Sequence, residues 1–180
     1  MHLGKMSRMK EYPSEVEQNK IVSIVEEPLE VYITHYASEP VLTWRVLGGK
    51  MLNEPLPKSM LGFFDLGKKG LPKSAVMSLA STLNLPLTQM ADMLNISYKT
   101  LGCKKNSELM DSWVSSHAVE IASVVARGLS VFEDPNKLNR WLRKPNRALG
   151  GKIPMDLLQS PVGIRLIIQI LGRIEEGVYS

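Results

Sequence analysis

The residues of this 180-residue chain that bear on chemistry are few and scattered. Leu-Gly-Gly-Lys occurs twice, at 47–50 and 149–152. A phosphate-cradling loop needs Ser or Thr after the lysine to hold a metal, and a strand before it. Met51 and Ile153 follow instead, so these glycines read as turn residues. Ser112 and His117 have the types of a nucleophile and a base. Five apart on one expected helix, they point to different sides, with no glycine-rich oxyanion turn beside them. Cys103 has no second cysteine to pair with and reads as a partly exposed thiol. His2, His35 and His117 show no ligand spacing, and the ten methionines read as core fillers. The expectation is a non-enzyme, with no catalytic residue, no metal and no cofactor.

Two constellations remain. Ser97, Tyr98, Lys99 and Thr100 stand together, with Lys104 and Lys105 close behind. They need a helix to present them, and the surrounding pattern supplies one. From Pro72, the apolar residues Val76, Leu79, Ala80 and Leu83 fall at i, i+3, i+4 and i+7, one face of a helix that Asn84-Leu85-Pro86 breaks. A short helix over 87–94 follows, then a turn at Asn95-Ile96, then a second helix capped by Ser97. Ala91 is small where two helices cross, Asn95 tolerates the left-handed conformation, and Leu101 packs the second helix onto the first. This is helix-turn-helix spacing, whose second helix faces the major groove of DNA. Ser97, Tyr98, Lys99 and Thr100 are then the candidate DNA-contacting residues, with Lys104 and Lys105 adding backbone charge. Gly102 shortens or frays this helix. Asp111-Ser112 caps a long helix toward Val131 that buries Ala118, Ile121, Ala122, Val125 and Leu129. Another helix, from Asp134-Pro135, buries Leu138, Trp141 and Leu142.

The second constellation is the end of the chain. Ser160 is an N-cap and Pro161 fits the first helical position. On a helical wheel Leu166, Ile167, Ile168, Ile170, Leu171 and Ile174 form a wide apolar arc. Arg165, Gln169, Arg173 and Glu176 form a polar stripe, where Arg173 and Glu176 have the spacing to pair. Gly177 ends the helix as a C′ glycine does, leaving Val178, Tyr179 and Ser180 as a short free tail.

Upstream the pattern thins. Residues 1–20 are charged and aperiodic, so the extension 1–69 is expected to be irregular and partly disordered. It has one possible hairpin, between 21–25 and 29–36. The boundaries drawn are therefore 1–69, 70–130 and 131–180, in a mainly α chain. A net charge of +4 permits a nucleic-acid partner without requiring one. The absence of a bilayer-length apolar run, a signal-peptide core or a disulfide pair points to the cytoplasm and away from a membrane. Surplus apolar surface on the helices over 112–131 and 160–176 implies a homodimer.

PNRALGG at 145–151, P-x-DLL at 154–158 and LGRIEEGVYS at 171–180 together resemble the toxin-binding domain of the Xre/MbcA/ParS antitoxins. The likeness covers roughly 70–180, with an echo at 44–50. It implies a type II antitoxin that binds operator DNA and neutralises a RES-type toxin, an enzyme that destroys NAD. It also implies that Arg165, Gln169, Arg173, Glu176, Gly177, Val178, Tyr179 and Ser180 meet that toxin. Residues 102–110 depart from the family's usual arginine-rich continuation. The competing reading is a stand-alone helix-turn-helix transcription regulator, whose C-terminal domain dimerises or binds an effector.

Overall fold

The computed structural model describes residues 38–52 and 54–178. The expected hairpin, and the tail residues Tyr179 and Ser180, lie outside them. The described chain is mainly α. Its helices are α1 (Glu39–Val46), α2 (Met60–Lys69), α3 (Lys73–Thr82), α4 (Leu87–Met93), α5 (Tyr98–Cys103), α6 (Ser112–Phe132), α7 (Pro135–Leu142), α8 (Pro154–Leu157) and α9 (Pro161–Glu175). Single 3-10 turns occupy Gly49–Leu52 and Arg147–Leu149. No strand forms among the described residues, where antiparallel pairing is limited to isolated bridges, Pro72 with Leu109 and Asn146 with Lys152.

The 21-residue α6 is the axis. Asp111 starts it by accepting the Val114 N–H at 3.0 Å. Glu133, left-handed at φ 53°, ends it. The spacing predicted a single buried face. The structure also buries His117, Val119, Val124, Ala126 and Gly128, so the helix is covered nearly all round. α1, α2, α7 and α9 all pack on it. Much of the apolar surface of α6 that the spacing leaves for a partner copy is therefore covered by the chain's own residues 39–69, which lie wholly within the extension expected to be irregular.

Small residues permit this crowding. A β-carbon on Gly67 would press on Ser116 of α6, and one on Gly128 would meet the Leu138 side chain of α7. One buried cluster runs from Trp44 to Leu171, so the segments divided at 70 and 131 share a core. Trp44, 4% exposed, lies inside that cluster with its ring against Gly49, whose φ is +55°. α3 buries Val76, Leu79 and Ala80, with Leu83 at its C-cap, on the face that the spacing indicated.

At the far end, Ser160 accepts the Gly163 N–H at 3.1 Å and Pro161 opens α9. Gly163 sits where a β-carbon would collide with the Leu157 carbonyl of α8. Gly163→Ala is expected to cost about 1–3 kcal/mol, the range of an overpacked contact that the backbone must relieve. Gly172→Ala meets only the mobile end of Arg127, so its cost should stay within about 0.5 kcal/mol. Urea unfolding of the two variants beside the parent checks the contrast.

Candidate functional site

The first candidate site is built on α4 and α5. Met90 and Ala91 are fully buried on α4, and Leu101 on α5 anchors the pair from the other side. Between them Asn95 is left-handed at φ 56°, as its residue type predicts, and the Ile96 N–H returns to the Ala91 carbonyl at 3.0 Å. Ser97 caps α5 by accepting the Thr100 N–H at 2.9 Å, and the two hydroxyls lie 2.7 Å apart. The six candidate residues thus divide. Ser97 and Thr100 hold the turn together, while the side chains of Tyr98 and Lys99 project freely into solvent. The Lys104 ammonium is engaged, at 2.8 Å to the Glu108 carboxylate and 2.9 Å to the Leu109 carbonyl. Lys105 is exposed, its N–H donating to the same carboxylate at 3.2 Å. Gly102 is the last but one residue of the helix, which is six residues long and ends at Cys103.

The second site is the outer face of α9. Arg165, Gln169, Arg173 and Glu176 are all exposed, as the stripe predicts. Val162 and Leu166, 59% and 42% exposed, lie on the same stripe. Leu166 therefore leaves the apolar arc in which its residue type had placed it, because the arc is wider than the surface that α6 and α8 cover. The ion pair on this helix joins Glu175 to Arg127 of α6 at 3.3 Å. Gly177, at φ 72°, ends the helix by donating to the Ile174 carbonyl at 3.0 Å. Val178 is not free: its N–H returns to the Arg173 carbonyl at 2.9 Å, completing a Schellman closure that fixes the direction in which the chain leaves. The glycine pair serves as a turn, with Gly150 and Gly151 both at positive φ and the Asn146 N–H donating to the Lys152 carbonyl at 3.0 Å.

Polar side chains fasten these sites to the core, and among them Lys73, Asn139 and Arg143 belong to no motif. Lys73, 8% exposed, donates to the carbonyls of Gly102 and Lys104 at the end of α5. Asn139 of α7 donates to the Thr82 carbonyl, and Arg143, which caps α7, to the carbonyls of Leu83 and Asn84, at the end of α3. The buried His117 Nε2 donates to the Leu158 carbonyl at 2.9 Å, and the Asn95 amide to the Gln159 carbonyl at 3.3 Å. Among the described residues no cluster of His, Cys, Asp and Glu has the makings of a metal site. No helix there is long and apolar enough to cross a membrane.

The described residues thus form one helical core that carries two exposed polar faces. Residues 127–177 match the sequence model of the antitoxin Xre/MbcA/ParS C-terminal toxin-binding domain. The chain is also 28% identical over 123 residues to the Prs ADP-ribosylating antitoxin of Sphingobium sp. (strain YBL2), an alignment that covers 63% of this chain and 77% of that protein. Residues 127–177 are thus similar to an Xre/MbcA/ParS-type toxin-binding domain, and the longer alignment is to an antitoxin. The matched domain is described as toxin-binding, and the matched segment contains the exposed stripe of α9.

The clasp behind α5 has a pH signature. The Lys104 ammonium on its carboxylate, joined by the Lys105 N–H, holds the Glu108 carboxyl below its ordinary value of 4.5. A carboxylate whose pKa is lower in the folded state stabilises the fold above its unfolded value. That contribution is lost as the pH falls through the folded value. The thermal midpoint of the parent should therefore exceed that of Glu108→Gln near neutrality, and the gap should close in the acid range below about 4.5. Melting curves of the two proteins across pH provide the check.

Proposed function

We propose that the chain neutralises a RES-type, NAD-degrading toxin by covering its active site, and represses its own operon by binding DNA. The observation that carries the toxin-binding half is the exposed stripe of α9. Val162 and Leu166 supply apolar anchors, Arg165, Gln169 and Arg173 surround them, and the Schellman closure fixes the backbone at Val178. A pocket that holds a dinucleotide must carry donors for its pyrophosphate, and cationic donors accept carboxylates through the same charge-assisted bonds. Glu176, exposed at the end of α9, carries such a carboxylate, and Tyr179 has the chemistry of an aromatic anchor. ADP-ribosyl transfer draws its group from NAD, so the name of the Sphingobium relative is in keeping with a NAD-consuming target. Inhibition is steric, with no chemistry performed by the antitoxin.

Tyr98 and Lys99 support the DNA-binding half. They are the side chains of α5 left free to reach a groove, and the net charge of +4 favours a polyanion. A homodimer, acting in the cytoplasm, would place two such helices on paired half-sites. Its contact fits the exposed Met60, Leu61 and Phe64 of α2 better than the buried α6.

Co-expression of the chain with the product of the adjacent reading frame, followed by mass measurement of what co-purifies, tests the toxin-binding half. Leu166→Asp puts a charge at the middle of the stripe without touching the core. It should weaken the complex by about thirtyfold or more, the scale of a central anchor, and release toxicity in cells. A full-strength complex with Leu166→Asp would place the contact elsewhere.

A further inference from the structure

We propose that Lys73 is a positioning residue for the DNA-reading helix: its buried ammonium braces the C-terminus of α5 and so sets the angle at which Tyr98 and Lys99 are presented. The inference rests on the DNA-binding reading above and concerns a residue remote in sequence from that helix.

The placement of Lys73 makes no local sense. It is the first residue of α3, whose opening turn carries no acidic side chain. The positive end of the helix dipole opposes a cation there. A lysine side chain is also seldom buried without partners. Lys73 is nevertheless 8% exposed, with Nζ donating at 3.1 Å to the Gly102 carbonyl and at 2.8 Å to the Lys104 carbonyl. What is unfavourable for α3 is favourable for α5, where a cation at the C-terminus meets both the dipole and orphan carbonyls.

α5 needs such help. It has six residues, one of them Gly102, and is too short to persist by itself. Its C-cap, Lys104, turns straight into extended backbone at φ −72° and ψ 145°, so it lacks the left-handed closure that ends α9. The segment that follows is tied to the same element. The Lys73 N–H donates to the Glu108 carbonyl at 3.0 Å and the Ser74 N–H to the Asn106 carbonyl at 2.9 Å. Lys73 thus grips the end of the reading helix with its side chain and the loop after it with its backbone. Local preference is broken at one residue, and its compensation lies at the candidate interface, a pattern expected of functional positions.

The test uses the full chain with Lys73→Met, Lys73→Gln and Lys73→Arg. Each is titrated against the duplex immediately upstream of its gene and against a shuffled duplex of the same length. Lys73→Met should lose about tenfold or more in affinity for the upstream duplex, the scale of one misplaced base contact. Its affinity for the shuffled duplex and for the toxin should hold. Amide exchange over 101–104 should quicken while α6 stays protected. Lys73→Arg, with its several donors, should recover most of the discrimination. Lys73→Gln, which keeps one donor group, should fall between and carries the test should Lys73→Met not fold. Unchanged discrimination and exchange in the neutral variants would overturn the inference. A parent chain that does not discriminate, while exchange at α5 still quickens in the variants, would overturn the DNA-binding reading and leave the brace standing.

Discussion

Everything in this chain depends on the nearly complete burial of α6. A 21-residue helix with apolar or small residues around most of its circumference cannot remain in water unless other elements enclose it. α1 and α2 cover it from the N-terminal side of the sequence, and α7 and α9 from the C-terminal side. Ser115 shows how exact the fit must be. Fully buried, its hydroxyl accepts the Leu71 N–H at 2.8 Å and so ties the start of α3 to the axis. His117 does the same for the opposite end of the chain through the Leu158 carbonyl.

The two outward faces inherit their geometry from that enclosure. Helices of six to eight residues, such as α4, α5 and α7, are marginal alone. Here polar side chains from neighbouring elements finish their ends: Lys73 on α5, Arg143 and Asn139 on α3, Asn95 on the segment before α9. Such bonds are individually modest but directional, and an unmade buried partner is costly, so they fix angles as much as they add stability. One consequence is that the two candidate surfaces, α5 and α9, are held in one frame by a shared core.

Much of this was legible because caps and left-handed positions carry local chemistry. Ser97, Asp111, Asp134 and Ser160 each accept an N–H at the start of a helix. Asn95 and Gly177 sit at positive φ. Other parts were illegible for identifiable reasons. α1 buries Val41, Leu42, Thr43, Trp44 and Val46, so it shows no polar face and no period. α2 buries Phe63, Leu66 and Gly67 but leaves Met60, Leu61 and Phe64 exposed, so hydrophobicity alone does not mark its buried face. Trp141 is only half-buried and packs at a tilt on Phe132, ring centres 5.5 Å apart, at the rim of the core. Lys73 could not be found from spacing, since the carbonyls that it serves lie about thirty residues away.

The central claim is that α9 and the residues that follow it meet the toxin while α5 stays free for another ligand. Hydrogen exchange on the chain, alone and in complex with the product of the adjacent reading frame, tests this most directly. The account predicts new protection confined to 161–178 and the residues after it, with exchange over 97–103 unchanged. Protection that falls on 97–103 and spares the C-terminal helix would contradict it.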